Sequence, residues 1–199
     1  VITAGGIGGM VMFNNVEQYK RALMFRDWGR IGDNVEEPSE RFNHSVDGIP
    51  YDWKFLYGVA GYHLKACEMN AAFGLVQLDK LEGFLKTRRQ LIERYLENLK
   101  DCSYYTLPDD SKKPNWLAIP LQCTDRLGIV KYLEENDVQT RVTFAGNITR
   151  HPAFREFKQE FDNADTIMKN GFLLGAHHGM TLDDVDRVCN LLKNFAKGK

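Results

Sequence analysis

Two stretches of this 199-residue chain combine arginine with aromatic or amide side chains at close spacing. The first, residues 27–30, reads Asp-Trp-Gly-Arg at the end of a predicted helix. Arginine binds a phosphate through two parallel hydrogen bonds, so Trp28 and Arg30 are candidate ligand contacts. The alternative is an ordinary helix end, where a basic residue faces the negative end of the helix dipole. The residues alone leave both interpretations open.

The second stretch, residues 140–152, leaves a predicted strand and enters a loop that ends at Pro152. Binding residues concentrate on loops of this kind. Two arginines, an amide and an aromatic ring so close together can hold a charged, hydroxyl-rich ligand, and ordinary surface salt bridges are the alternative. The candidates are Arg141, Phe144, Asn147 and Arg150.

Weaker signals stand at residues 5–9, which read Gly-Gly-Ile-Gly-Gly, and at His177-His178. Glycines let a backbone approach a phosphate, but a dinucleotide-type cradle follows a strand and opens a helix, whereas these glycines precede a predicted strand. A tight turn without a ligand is the alternative. The paired histidines have no third ligand nearby, so we predict no metal site and a structural or substrate-contact role.

The composition excludes several functional classes. Lys and Arg number 26 against 27 Asp and Glu, without a long basic block, so neither nucleic acid nor a membrane surface is an expected partner. The four cysteines form no CxxC pair, and no apolar run reaches the length of a membrane span, which predicts a cytoplasmic protein. Because the chain opens on a Gly-rich turn without Met, we expect a fragment.

Hydrophobic periodicity predicts the elements that position these residues. Residues 9–13 form an apolar run that predicts a buried strand, residues 16–28 have helical spacing, and residues 31–50 predict a long loop. The apolar residues of 68–100 keep helical spacing. They predict either one helix of about 50 Å, bent at Gly74 or Gly83, or two helices separated there.

The remainder predicts a small α+β domain, with a domain boundary near Asp101. We expect strands near residues 116–121, 139–142 and 172–174, helices over 126–136 and 163–170, and a last helix. Thr181 and Asp184 are spaced as a capping box for that helix. Strands and helices in this order suggest a small sheet with helices on one side. Taken alone, the residues predict an α/β protein with two candidate anion-binding loops. They do not identify a reaction.

Taken in order, these segments resemble one family along nearly the whole chain, the PLP-dependent sugar enzymes of the DegT/DnrJ/EryC1/StrS type. The resemblance is carried by the following segments: Ile2-Thr3 with the Gly-rich turn, residues 26–30 (RDWGR), 61–65 (GYHLK), 69–78 (MNAAFGLVQL), 141–152, 163–165 (NAD) and 177–181 (HHGMT). It implies the C-terminal part of a PLP-dependent transferase fold of aspartate aminotransferase type I. Residues 1–100 would then be the end of the large cofactor-binding domain with its connecting helix, and 101–199 the small domain.

Within the family, RDWGR and the loop at residues 141–152 look most like the branch that removes the 3-hydroxyl of nucleotide-linked 4-keto-6-deoxyhexoses. That branch has histidine where the aminotransferases have the lysine that binds PLP, so its cofactor is pyridoxamine phosphate. By the resemblance this residue, His or Lys, stands immediately before Val1, so no catalytic residue lies within the chain and the fragment alone should be inactive. Trp28, Arg30, Arg141, Phe144, Asn147 and Arg150 are the implied substrate contacts.

Two positions depart from the family pattern. Ile7 stands where the family usually has Glu, and His63 stands in the Gly61-Tyr62-His63 segment where the family has an Asn that reaches the cofactor phosphate of the neighbouring subunit. A ring nitrogen of His63 can still donate to phosphate, so the resemblance implies His63 as a cofactor contact. A site shared between subunits implies a homodimer. The alternatives are a sugar aminotransferase and a non-catalytic, stand-alone domain, and surface polysaccharide synthesis is the expected setting.

Overall fold

The computed structural model describes residues 3–32 and 34–199. It divides into two compact units, which we call the N-terminal unit (residues 3–79) and the C-terminal unit (Lys80–Lys199). Ile2, at the start of the first family-like segment, lies outside the described residues.

Helices are the longest regular elements of the N-terminal unit. Helix α1 (Val16–Arg26) begins at Asn15, whose side chain accepts a hydrogen bond from the Gln18 backbone N–H at 3.0 Å. Such a cap satisfies an N–H that the first helical turn leaves without a partner. The helix predicted here is confirmed. The other elements of the unit are α2 (Pro38–Arg41), β1 (His44–Val46), β2 (Ile49–Tyr51), a 3-10 turn (Trp53–Phe55) and α3 (Glu68–Asp79).

The stretch expected to be a structureless loop, residues 31–50, contains one strand and part of a second. Strands β1 and β2 form an antiparallel hairpin in which Val46 pairs with Ile49. Asp47 and Gly48 between them both have positive φ, 52° and 81°. This is the backbone of a type I′ turn, for which Asp-Gly is a preferred pair. The expectation of an irregular loop was therefore wrong over the hairpin, because the Asp-Gly turn signal went unused.

The predicted buried strand at residues 9–13 is also wrong. These residues carry no regular secondary structure, and Met10 is 88% exposed. A strand needs a neighbour to receive its backbone hydrogen bonds. Among the described residues no strand pairs with this segment, so its apolar side chains are left uncovered in this chain.

Two helices occupy residues 68–99. Helix α3 ends at Asp79 and α4 (Leu81–Leu99) begins after Lys80, so the interruption lies between Gly74 and Gly83 and at neither glycine. The units divide at the same point, whereas the sequence placed the boundary near Asp101. The difference arises because Leu91, Ile92 and other apolar residues of α4 belong to the core of the C-terminal unit.

The C-terminal unit has a three-stranded antiparallel sheet in the order β3-β5-β4. In the central strand, Leu174 pairs with Ile119 on one side and with Thr140 on the other. The predicted strands and helices are confirmed to within a few residues. After α4 the elements are β3 (Ala118–Gln122), α5 (Arg126–Glu135), β4 (Thr140–Val142), 3-10 turns (Ile148–Arg150 and Pro152–Phe157), α6 (Asp162–Asn170), β5 (Gly171–Gly175) and α7 (Leu182–Lys197).

One face of this sheet forms the core together with α4, α5 and α7. In β3 the buried residues alternate, with Ile119 and Leu121 inside, as expected for a sheet that is covered on one face. Phe172 of β5 is fully buried in the same cluster. Helix α7 begins with the predicted capping box, in which the Thr181 hydroxyl and the Asp184 carboxylate bind each other's backbone N–H. The sheet with helices on one side is confirmed.

Within residues 3–32 and 34–199, no helix is long and apolar enough to cross a membrane. In the same residues, no group of three or more His, Cys, Asp or Glu side chains is arranged to hold a metal ion.

Candidate ligand-binding sites

In the N-terminal unit, the segment after α1 and the segment before α3 cross and bind each other through their backbones. The Trp28 N–H donates to the Tyr62 carbonyl at 2.9 Å, and the Tyr62 N–H donates to the Phe25 carbonyl at 2.7 Å. A third bond runs from the Leu64 N–H to the Arg26 carbonyl at 3.0 Å. The RDWGR and GYHLK segments, far apart in sequence, therefore form one local structure.

Two glycines make this crossing possible. Gly29 has a φ of 93°, and a Cβ added to it would lie 1.9 Å from the Val59 carbonyl oxygen. A Cβ on Gly61 would lie 2.1 Å from the Gly29 nitrogen. Neither position has room for a side chain, and the left-handed φ of Gly29 is itself unfavourable for other residues. The glycines of both segments are therefore explained by the close approach of two backbones.

The crossing assembles the rings and cations that we call the Trp28 cluster: Trp28, Arg30, His63 and Lys65. The Trp28 and His63 rings stack with centroids 4.5 Å apart and planes 13° from parallel. The Arg30 guanidinium carbon lies 4.8 Å from the centre of the Trp28 ring, and the Lys65 ammonium lies 5.4 Å from it. Cations at these distances are attracted to the face of an indole. Three of the sequence candidates, Trp28, Arg30 and His63, are thus brought together, and Lys65 was not foreseen.

Asp27 is a buried carboxylate beneath this cluster, with 2% of its surface exposed. Arg26 binds both of its oxygens at 2.8 Å, and the Lys65 ammonium lies 3.9 Å from one of them. A buried carboxylate is tolerated when it is paired in this way. Trp28, the next residue, has a φ of 62°, which is unusual for a bulky side chain. The paired Asp27 and the crossing backbone hold Trp28 in that strained conformation, which is a common property of functional sites.

The Gly-rich segment at residues 5–9 forms a turn. Gly5 and Gly6 have positive φ, 68° and 96°. The Asn70 side-chain amide donates to the carbonyls of Ala4 and Gly5 at 2.7 and 3.2 Å. These carbonyls accept from a neighbouring side chain, so the turn has a structural explanation without a ligand.

In the C-terminal unit, Asn147 holds the candidate loop together from within. It is 2% exposed, and its amide nitrogen donates to the Gln159 carbonyl at 2.8 Å and to Asp165 at 2.9 Å. Its amide oxygen accepts from both the N–H and the hydroxyl of Thr149. Both ends of the amide are therefore used in bonds within the protein. The structure gives Asn147 a role in positioning the loop, and the ligand contact that the sequence led us to expect here stays a prediction.

Arg150 also binds within the protein. Its guanidinium forms a two-point ion pair with Asp165, one contact being the Nη2–Oδ2 bond of 2.9 Å. The hydrogen bond from Arg150, with a further one from the Phe161 backbone N–H, holds the pKa of the Asp165 carboxyl well below its usual range. Asp165 belongs to α6, so the pair fastens the loop to that helix. The ligand contact expected from Arg150 stays a prediction beside this ion pair.

The Arg150–Asp165 pair predicts a pH dependence of loop structure. A carboxyl whose pKa is lowered by folding adds stability that is fully present above its unfolded pKa of about 4, and this stability is lost progressively as pH falls from there through the lower pKa of the folded state. Asp165→Asn should loosen the loop at neutral pH and remove that acid transition. Amide chemical shifts of residues 145–161, followed by NMR between pH 6 and 2.5, measure both effects. Asp162→Asn, an exposed position on the same helix, is the control, and equal loosening there would contradict the assignment.

Phe144 and Arg141 are the two sequence candidates of this loop whose side chains are exposed. Phe144 is 72% exposed and has a φ of 47°. An aromatic residue that is both exposed and held in the left-handed region is not explained by packing. Arg141 is exposed on β4 and donates one hydrogen bond, from Nη1 to the Thr140 carbonyl at 2.6 Å. Both side chains are accessible to a ligand, and their role in binding stays a prediction.

The paired histidines have separate surroundings. The His178 ring stacks on Phe84 of α4, with centroids 3.7 Å apart, and His177 accepts a hydrogen bond from the Gly179 N–H. His177 also lines a cavity with Arg141 and Phe144.

Arg88 of α4 lines the same cavity as His177 and was missed by the sequence analysis. The available signal was its position, since an arginine three, four and seven residues before Leu91, Ile92 and Tyr95 stands on the apolar face of a helix.

Residues 1–193 match the DegT/DnrJ/EryC1/StrS aminotransferase family. The chain belongs to this family. The match includes both segments of the Trp28 cluster and the whole candidate loop, so the family suggested by the order of the sequence segments is confirmed.

Two curated relatives in the DegT/DnrJ/EryC1/StrS family show what share of their length this chain covers. It is 33% identical to the lipopolysaccharide biosynthesis protein RfbH of Salmonella typhimurium, over 96% of the chain and 48% of that protein. It is 31% identical to the dTDP-4-dehydro-2,6-dideoxy-D-glucose 3-dehydratase of Saccharopolyspora spinosa, over 96% of the chain and 45% of that protein. The chain spans about half the length of the curated relatives it matches.

A solved structure in the same family confirms the fold. The chain superposes on an E. coli GDP-4-keto-6-deoxy-D-mannose-3-dehydratase, described with bound hydrated PLP, with a TM-score of 0.75 and 23% identity. The match covers 90% of the chain and 48% of that structure. The α/β fold class expected from the sequence is therefore correct. Which residues of this DegT/DnrJ/EryC1/StrS chain bind ligands stays a prediction.

Proposed function

We propose that the whole protein is a PLP/PMP-dependent 3-dehydratase that acts on a nucleotide-linked 4-keto-6-deoxyhexose. The observation that carries the proposal is the similarity to the S. spinosa relative, which is named a 3-dehydratase of a nucleotide-linked 4-dehydro sugar; this similarity extends over 96% of the chain. The chain spans about half of that relative, so the activity belongs to a protein longer than these 199 residues.

The proposed substrate contacts lie in two places, one in each unit. In the N-terminal unit, Trp28 offers an aromatic face and Arg30 a guanidinium next to it. In the C-terminal unit, Arg141 and Phe144 reach outwards, while Asn147 and Arg150 hold their loop in shape. Guanidinium groups suit the diphosphate of a nucleotide sugar, and exposed aromatic faces suit its rings.

His63 is the residue of this chain that suits the phosphate of the cofactor. Its side chain is exposed, and among the described residues its ring nitrogens take part in no hydrogen bond, so one of them can donate to an incoming phosphate. Stacking on Trp28 fixes the plane of the ring. The Lys65 ammonium close by adds positive charge. When bound, the cofactor would supply an amino group and an electron-withdrawing ring, and we assign to His63 only the holding of its phosphate.

This chain would then contribute binding and orientation, while a proton-transferring residue would come from the part before Val1. A histidine in that position moves protons but does not form the covalent bond to the cofactor that a lysine forms. Loss of the 3-hydroxyl requires such proton transfer. Each of the two candidate sites, taken by itself, offers side chains suited to part of a sugar nucleotide: the Trp28 cluster in the N-terminal unit and the loop at residues 141–152 in the C-terminal unit.

We also propose a homodimer in the cytoplasm. Helix α3 supports the dimer, because none of its residues is buried although it is rich in apolar side chains, Met69, Phe73, Leu75, Val76 and Leu78 among them. Exposed apolar surface of this kind is typical of a contact with another chain or with the rest of the same chain. Sedimentation of the full-length protein measures the dimer, and cell fractionation measures the location.

A sugar aminotransferase is the second candidate, favoured by the description of the family itself. A stand-alone, non-catalytic domain is a third, since the C-terminal unit has its own core.

The gene sequence upstream of Val1 tests the proposal. We expect a cofactor-binding region of about 100–200 residues, a usual domain size, with histidine immediately before Val1. Lysine at that position would support the aminotransferase instead. A start codon close to Val1 would contradict both enzymes and support the stand-alone domain.

A further inference from the structure

His63 is fixed in place within the Trp28 cluster, and its side chain is exposed. Its backbone pairs with Asp27 in an antiparallel bridge, and its ring stacks on Trp28 with the two planes 13° from parallel. Within residues 3–32 and 34–199 the ring nitrogens take part in no hydrogen bond. Because the backbone and the ring plane are both held, the property of His63 that can still change near neutral pH is the charge of its imidazole.

The charged groups around this ring come from both crossing segments. From the segment after α1, the Arg30 guanidinium carbon lies 4.8 Å from the centre of the indole on which His63 stacks. Arg26, at the end of α1, binds both oxygens of the buried Asp27 carboxylate at 2.8 Å. From the segment of His63 itself, the Lys65 ammonium lies 5.4 Å from the centre of the same indole and 3.9 Å from that carboxylate. A protonated His63 is a further positive charge beside these cations.

A third cation at one indole is disfavoured without an anion and favoured with one. Like charges lower the tendency of a histidine to take up a proton, and a negative charge in contact with the ring raises it. A phosphate monoester carries about 1.5 to 2 negative charges at pH 7 and three oxygens that accept hydrogen bonds. Binding of a phosphate against the ring and protonation of the ring should therefore promote each other.

We propose that His63 makes the affinity for the cofactor phosphate depend on pH, with tighter binding as pH falls through the range in which histidine titrates. The contact itself belongs to the proposed function, on which this inference rests, and the pH dependence is what His63 adds to it. Imidazolium has two N–H donors and a positive charge, whereas neutral imidazole has one donor and no charge. The asparagine of the family pattern has no charge to gain at this position.

The phosphate has a titration of its own, which must be separated from that of His63. Its second ionisation lies near pH 6, so a phosphate monoester loses negative charge below about this pH and is bound less well by a basic site. This effect is the same for every variant of the protein. The ratio of the dissociation constants of His63→Asn and the unchanged protein cancels it and retains the contribution of His63.

The test is the dissociation constant of pyridoxamine phosphate for the full-length protein, measured by equilibrium dialysis from pH 8.5 to 6. At pH 8.5 the unchanged protein and His63→Asn should agree within about threefold, since each offers a neutral N–H donor. At pH 6 the unchanged protein should bind about five- to tenfold more tightly, because a charge-assisted hydrogen bond replaces a neutral one. A ratio that stays constant over this range overturns the inference, and so does the absence of binding.

His44→Asn is the matched control. His44 stacks on Trp53 in the same unit, with ring centroids 4.2 Å apart, and is not a member of the Trp28 cluster. Its replacement should leave the affinity within about twofold of the unchanged protein at every pH, because no phosphate contact is assigned to it. A pH-dependent ratio as large as that of His63→Asn would show a general effect of histidine charge and would overturn the inference.

The reciprocal effect gives a spectroscopic readout that a purely structural role would not change. In carbon NMR spectra of the histidine rings, the signal that is missing from His63→Asn identifies His63. Pyridoxamine phosphate should move the midpoint of its titration to a pH higher by about 0.7 to 1, which is the same coupling as a five- to tenfold change in affinity. A midpoint that stays in place or moves to lower pH contradicts the proposal.

These measurements involve no turnover, so their outcome is separate from that of the proposed function. A 4-amino sugar product together with a pH-dependent ratio would reject the 3-dehydratase and leave the role of His63 intact. A 3-deoxy product together with a constant ratio would do the reverse.

Discussion

Replacing Gly29 by alanine is expected to disrupt the crossing in the N-terminal unit, at a cost of more than about 3 kcal/mol. The added Cβ would lie 1.9 Å from a backbone carbonyl oxygen, at a φ of 93°. Because the obstacle is backbone on both sides, the two segments must separate for the methyl group to fit. Hydrogen exchange of the Trp28 and Tyr62 amides, whose bonds hold the crossing, should become at least about 100-fold faster.

Substitutions at two other glycines distinguish the two causes of this destabilisation, which are the close backbone contact and the positive φ. Gly48 has a similar φ of 81° but no atom within 4 Å of an added Cβ. Gly48→Ala should therefore cost only the left-handed backbone, about 1–2 kcal/mol. Gly61→Ala has the close contact without the positive φ and should resemble Gly29→Ala in the exchange of the same amides. If Gly29→Ala behaved like Gly48→Ala, the close backbone approach would not be a real constraint.

Replacing Phe144 by glycine should reduce activity and leave folding intact. Phe144 is exposed and has a φ of 47°, a conformation that costs an ordinary residue about 1–2 kcal/mol and glycine almost nothing. The free energy of unfolding should therefore stay the same or rise by up to about 1 kcal/mol. In the full-length protein, kcat/KM for the nucleotide sugar should fall about tenfold or more, because a ligand contact is lost.

Lys113→Gly is the matched control for Phe144→Gly. Lys113 also has a left-handed φ, of 44°, in a surface turn outside the candidate loop. It should show the same small effect on unfolding with no change in kcat/KM. If Phe144→Gly lowered stability and left kcat/KM unchanged, Phe144 would be a structural residue and its assignment to the substrate would fail.

Much of the C-terminal unit could be predicted from sequence because its signals are local. Period-two and helical patterns gave its strands and helices, and the Thr181–Asp184 spacing gave the start of α7. The N-terminal unit was harder, since its apolar residues 9–13 and helix α3 lack covering partners within the described chain. An apolar pattern indicates that a segment is buried against other apolar side chains. It does not indicate which part of this chain, or which other chain, supplies them.

The candidate site residues were also predictable from the sequence only in part. The sequence singled out Trp28 and Arg30 in one segment and His63 in another, and their stacking follows from a backbone crossing that only the structure shows. Asn147 and Arg150 have the residue types of ligand contacts, yet both side chains bind Asp165 of α6. Sequence spacing does not distinguish a polar residue that binds a ligand from one that holds the loop carrying the binding residues.

The central claim is that the protein removes the 3-hydroxyl of a nucleotide-linked 4-keto sugar. The most direct measurement is the mass spectrum of the product formed by the full-length protein from a nucleotide-linked 4-keto-6-deoxyhexose, with cofactor and glutamate present. We predict a 3-deoxy sugar that keeps its 4-keto group. A 4-amino sugar that retains the 3-hydroxyl would contradict the claim and show an aminotransferase.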